Sequence, residues 1–234
     1  MDLLDRTGLL SARLSTAHNV WLEDADMRLL AERGVTAVHD PHSNLQVGSG
    51  IADLGAWRSH GMRAALGTDS VNCGGSMDMV DAMRLAVLLH RSGEPDPQHW
   101  ETPGSALGLA TAGASALRIG AGTLDPGQPA DLAIFDLAGA PYASREDPLS
   151  TLVLGSWDHS ARTVVVGGRV VLRDHRVLTI DEDAVIAEAE ARRRSLMERN
   201  STLRELADSQ RGVLTRLSSR SRYPRPVVRV RERP

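Results

Sequence analysis

The chain has 234 residues, enough for one large domain or a domain with appendages. It is 41% hydrophobic and 24% charged with a formal net charge of -3, which excludes a general affinity of the whole chain for nucleic acid or membrane. Aromatic residues make up only 3%, so the core must be built from Ala, Val, Leu and Ile, and the one cysteine, Cys73, excludes an intramolecular disulfide.

The first fifteen residues lack the apolar centre of a secretory leader, and no apolar run reaches bilayer-spanning length. A cytoplasmic protein is therefore expected. LSTAH, residues 14–18, predicts a short strand ending on His18. Asp24 is placed to cap a helix whose apolar side carries Met27, Leu29 and Leu30, and Gly34 to close it. VTAVH, residues 35–39, predicts a second strand, ending on His39. The polar loop 39–54 carries Asn44, and a helix over 53–60 stops at Gly61. MRAALGTD, residues 62–69, predicts a third strand ending on Asp69, and residues 77–91 a clear helix. Met77, Met79 and Met83 fall on one helix face and read as core packing.

Strand, loop, helix, glycine, strand is the pattern of βα units with parallel strands. In such units the C-terminal strand ends converge on one mouth. His18, His39 and Asp69 stand at those ends, 21 and then 30 residues apart. An isolated aspartate after a strand is most often a cap, and a lone histidine beside an apolar strand is most often a core residue. Three such residues at matching strand ends favour a shared site, since imidazole and carboxylate serve both proton transfer and metal binding. Cys73 has no evident partner histidine and reads as a bystander thiol.

Beyond a Pro/Gly-rich loop at 92–104, residues 106–120 predict a small-residue helix closed by Gly120. The pattern then changes. A strand at 130–136 and a hairpin over 161–178 turning at Gly167-Gly168 predict a small antiparallel β portion. The chain divides into residues 1–120, 121–180 and an Arg-rich helix with a disordered tail, 181–234. From Arg192 onward there are thirteen arginines against four acidic residues. A solvated helix explains them better than a nucleic-acid site beside so acidic a body.

TAHNVWL (16–22), VHDPHSNLQVGSGIADL (38–54), ALGTDSVNCGGSMDMVDAMRLAVLL (65–89) and ATAGASALRIGAGTLDPGQPADLAIFDL (110–137) occur in an order and spacing that carry a resemblance. Over roughly residues 9–190 the chain resembles the C-terminal half of the metal-dependent amidohydrolase superfamily. The likeness is to the branch of S-adenosylhomocysteine/methylthioadenosine, cytosine and 8-oxoguanine deaminases and triazine hydrolases. The resemblance implies an α/β fold: the C-terminal part of a (β/α)8 barrel, with about three parallel strands, a small antiparallel β-sandwich portion and a C-terminal helix. It implies a zinc or iron ion and a heterocyclic small-molecule substrate. Asp69 matches the strand-eight metal ligand and proton shuttle, and His18 the strand-six histidine that polarises the substrate or orients the attacking water, which makes these two the implied catalytic residues. His39 and Asn44 match the strand-seven motif and are the implied substrate-binding residues with His18. Asp40 stands where the family often has Cys or Asn. The family's HxH pair, strand-five histidine and nearby acid/base glutamate have no counterpart here. The chain alone is therefore expected to be inactive, an N-terminally truncated C–N hydrolase. The rival expectation is a non-enzymatic remnant that associates through exposed strand edges with a second copy or a complementing chain.

Overall fold

The computed structural model describes residues 1–92, 94–120, 122–138, 147–155 and 160–220, with side chains through Leu217. The disorder expected for 221–234 lies outside the described residues. After a short helix α1 (Asp2–Arg6) come strand β1 (Ser15–Ala17) and helix α2 (Asp24–Glu32). The cap of α2 is Glu23 rather than Asp24, because Glu23 and Asp26 form a reciprocal capping box. Gly34 then takes φ +65° and turns the chain into strand β2 (Thr36–His39).

The stretch expected as a loop after β2 contains helix α3 (Pro41–Gln46), with proline at its first turn. Helix α4 (Leu54–Ser59) starts where Asp53 accepts from the Ala56 N–H at 2.8 Å. Strand β3 (Arg63–Leu66), one-turn helix α5 (Val71–Gly74) and helix α6 (Met79–Arg91) follow. Asp78 caps α6 through the N–H groups of Val80 and Asp81. Met79 and Met83 pack as expected, but Met77 precedes the helix and is exposed. Helix α7 (Pro103–Leu117) starts and ends three residues before the expected span, since Thr102 and Ser105 make a capping box around Pro103 and Arg118 turns left-handed.

The remaining elements are β4 (Leu132–Ile134), α8 (Pro148–Leu154), β5 (Thr163–Val166), β6 (Arg169–Arg173), β7 (Arg176–Val177), α9 (Glu182–Arg199) and α10 (Ser201–Arg220). The single C-terminal helix expected from sequence is broken at Asn200.

Two sheets result. One is parallel, in the order β1-β2-β3, with Ala37 opposite Ala64 and His39 opposite Leu66. The other is antiparallel, in the order β4-β5-β6-β7, with Gly167 and Gly168 both at positive φ in the tight β5-β6 turn. One buried cluster joins Leu30, Val35, Ala37, Leu54 and Trp57, and a second joins Leu66, Val80, Met83, Val87, Ala106 and Val153. The helices thus cover the parallel sheet and fix where its strand ends emerge. Among the described residues no helix is long and apolar enough to cross a membrane.

Candidate functional site

At the C-terminal ends of β1 and β3 the backbone enters the left-handed region. His18 has φ 67°, its neighbour Asn19 φ 49° and Asp69 φ 58°. Each non-glycine residue there costs roughly 1 kcal/mol, and such conformations collect at functional sites. Local bonds hold the turn after β1: Asn19 donates from Nδ2 to the Thr16 carbonyl at 2.7 Å, and its N–H to the Ala17 carbonyl at 2.8 Å.

The turn aims the His18 ring at three side chains. Its Nδ1 lies 2.9 Å from Asn44 Oδ1 and 3.6 Å from Asp40 Oδ2, and its Nε2 lies 3.8 Å from Asp69 Oδ2. The His18 main-chain N–H also donates to Asp40 Oδ2 at 3.2 Å. Helix α3 carries Asn44 and Ser43, both buried, and Ser43 stands beside the Asp69 carboxylate. The helix is tied to α6 by His42 Nε2 and Asp81 Oδ2, 2.6 Å apart.

Ser43 and the N–H of Ser70, 2.6 Å away, hold the Asp69 carboxyl below the usual carboxylate range. Burial pushes Asp40 the other way, above that range, despite its bond from the His18 N–H. Asp69 is thus an ionised acceptor at the open side of the group, and Asp40 a sequestered carboxyl behind it.

His39 requires a correction. It was expected at the mouth beside His18, and it does close β2. Its side chain, however, falls on the other face of the sheet with that of Ala37. The ring is fully buried between Trp57 and His90, with centroids 6.2 and 5.3 Å away and edge-to-face geometry. Neither ring nitrogen has a hydrogen-bond partner. Burial, then the neighbouring His90 and His18, lower its pKa to about 3, so it is neutral. The two-residue period of the strand assigns the opposite face to Val38 and Asp40. Both stand there beside Gly67, where an added Cβ would come within 2.9 Å of Val38 Cγ1 and would overlap Asp40 Oδ1. The structure therefore brings together His18, Asn44 and Asp69, leaves out His39, and adds Asp40 and Ser43, which sequence reasoning did not assign to the site.

One carboxylate facing one imidazole is short of the four donors usual for zinc. Among the described residues no group of three or more His, Cys, Asp or Glu side chains is placed to hold an ion. These residues alone do not fit a metal centre.

Residues 1–171 match the amidohydrolase family model. The chain is 34% identical over 186 residues to a 5-methylthioadenosine/S-adenosylhomocysteine deaminase of Pyrococcus abyssi, covering 80% of this chain and 44% of the relative. It resembles the zinc-bound adenosine deaminase of Xanthomonas campestris with a TM-score of 0.79 at 30% identity, covering 84% of this chain and 45% of that one. It resembles the zinc complex of atrazine chlorohydrolase from Arthrobacter aurescens TC1 with a TM-score of 0.77 at 28% identity, covering 81% and 43%. The chain spans about half the length of the curated relatives it matches.

Proposed function

The chain belongs to the amidohydrolase family, and we propose that it is the C-terminal portion of a metal-dependent member that hydrolyses C–N bonds other than peptide bonds. The substrate class proposed is an amino-substituted heterocycle or a cyclic amide. Relatives named for deamination of 5-methylthioadenosine and S-adenosylhomocysteine support this class. The three parallel strands would be the last three of an eight-stranded barrel, over about 1–120. The antiparallel strands of 121–180 would complete a sandwich, and 181–234 would be an appendage. The cytoplasm is the proposed location.

The observation that carries the reading is the meeting of His18 and Asp69 in one strained constellation at two parallel strand ends. Asp69 would give one carboxylate ligand to a divalent zinc or iron ion, which would supply an activated water. Its ionised state is the one in which a carboxylate ligates a metal; the proposed proton transfer to it would require the metal site to be assembled. Asn44 occupies Nδ1 of His18, so Nε2 is the ring edge turned toward substrate. Asn44 would then act on substrate through His18. Since no further metal donors stand beside Asp69 among the described residues, the 234-residue chain is proposed to be inactive alone.

A chimera tests this. Residues 1–171 would replace the corresponding segment of the Pyrococcus abyssi deaminase, and ammonia release from 5′-methylthioadenosine would be followed. The chimera should release ammonia, and Asp69→Asn should reduce the rate by at least about a hundredfold. A folded chimera whose rate is unchanged by that substitution would refute the role of Asp69.

A second reading has its own observation: among the described residues β1 and β3 each pair only with β2 in the parallel sheet, which leaves the outer edge of each without a strand partner there. A non-enzymatic chain would use these edges to bind a second copy or a complementing chain. Sedimentation as a monomer at all concentrations, alone and in cell extract, would remove that reading.

A further inference from the structure

We propose that Asp40 is a positioning residue whose buried carboxylate, seated over Gly67, locks the backbone of His18 in the left-handed turn that aims the ring at Asp69. The inference rests on the reading of His18 as a site residue. Its observations are separate from those that suggested a metal.

Asp40 is only 4% exposed. A carboxylate so placed is costly unless it is hydrogen-bonded, and the bond found for it runs to the main chain of the strained residue itself. The carboxylate reaches across from β2 to the turn after β1, 22 residues away in sequence. The same oxygen, Oδ2, lies 3.6 Å from His18 Nδ1, so one atom faces both the backbone and the ring of His18. Asn44 holds Nδ1 from the other side at 2.9 Å.

Room for this arrangement comes from the next strand. Gly67 donates its N–H to the His39 carbonyl at 2.9 Å, which keeps its Cα against Asp40. Any side chain at 67 would take the space of Asp40 Oδ1. Glycine here serves close approach, since its φ is not positive. Asp40 and Gly67 therefore form a pair across β2 and β3, and what the pair controls is the direction of His18.

The test uses the 234-residue chain without metal or substrate. Amide hydrogen exchange is measured residue by residue by NMR, together with the coupling constant between the amide and α protons of His18. Asp40→Ala should speed exchange at the His18 amide by about ten- to a hundredfold, while the sheet amides of Ala37 and Ala65 stay within about threefold of wild type. Asp40→Asn keeps an acceptor oxygen and should restore protection and coupling constant to wild-type values. Asp40→Leu fills the space without an acceptor and should behave like Asp40→Ala, which covers the case in which the cavity left by alanine unfolds the chain. Unchanged protection of His18 in Asp40→Leu would overturn the proposal. So would equal loss at His18, Ala37 and Ala65, which would make Asp40 a general stabiliser. Either result leaves the roles of Asp69 and His18 in the chimera untouched, so the two readings fail separately.

Discussion

At Gly67 a hydrogen stands where any other residue would place a carbon against Asp40 and Val38. Gly67→Ala must displace the buried carboxylate or the strand, and is expected to cost about 1–3 kcal/mol. Gly108 lies inside α7 with open space where its Cβ would be. Gly108→Ala removes unfolded-state freedom without a clash and should stabilise by about 1 kcal/mol. Urea unfolding of the two variants checks the contrast: equal effects would mean that glycine 67 is not held by close approach. The role of Gly67 was not legible in the sequence, because ALGTD reads as an ordinary strand exit. Nor was the bond from His18 to Asp40, which joins residues 22 apart through the register of parallel strands. His18 and Asp69 were legible as a pair, because each follows a short strand pattern at a matching point of a repeating unit.

At the scale of elements, β2 decides which side chains reach the site. Its sequence TAVH is buried on both faces, as strands of covered parallel sheets are, so no alternation of polar and apolar residues marks the inward side. The pattern therefore leaves His39 free to read as a mouth residue, and its place between Trp57 and His90 emerges only from the fold. Helix α3 escaped notice for a related reason: Asp-Pro-His-Ser-Asn is rich in turn residues, yet proline also suits a first helical turn. The burial of His39 has a thermodynamic consequence. Folded, it takes a proton only near pH 3; unfolded, it takes one near 6.5. The unfolded state therefore binds the extra proton between those values. The stability due to neutral His39 is complete above pH 6.5 and is lost as pH falls toward 3. The lowered carboxyls of Asp5, Asp69 and Asp147 act only below their ordinary value of 3.8. The raised Asp40 carboxyl, protonated first in the folded state, acts in the opposite sense. Urea midpoints should thus fall between about pH 7 and pH 5, and His39→Leu should flatten that dependence. A His39→Leu variant with the wild-type slope would place the proton elsewhere.

For the whole molecule, the apolar clusters lie among the helices that cover the parallel sheet, while α9 and the described side chains of α10 are exposed along nearly their whole length. The parallel strands lie before residue 120 and the antiparallel strands after it, where the sequence pattern changes, while Val153 of α8 returns to the cluster beside the parallel sheet. The parallel sheet ends at β1 on one side and β3 on the other, and the site sits where those strands open. On the proposed reading, a constellation of one exposed-side carboxylate, one imidazole and their supports would be part of a metal-dependent centre rather than the whole of one, since among the described residues no group of three or more His, Cys, Asp or Glu side chains is placed to hold an ion. Zinc content of the purified chain after dialysis, with its intact mass confirmed, tests that claim most directly. Far less than one zinc per chain is expected, unchanged by Asp69→Asn. About one tightly held zinc per chain, lost on Asp69→Asn, would contradict it and would mean that the chain completes the metal site by itself.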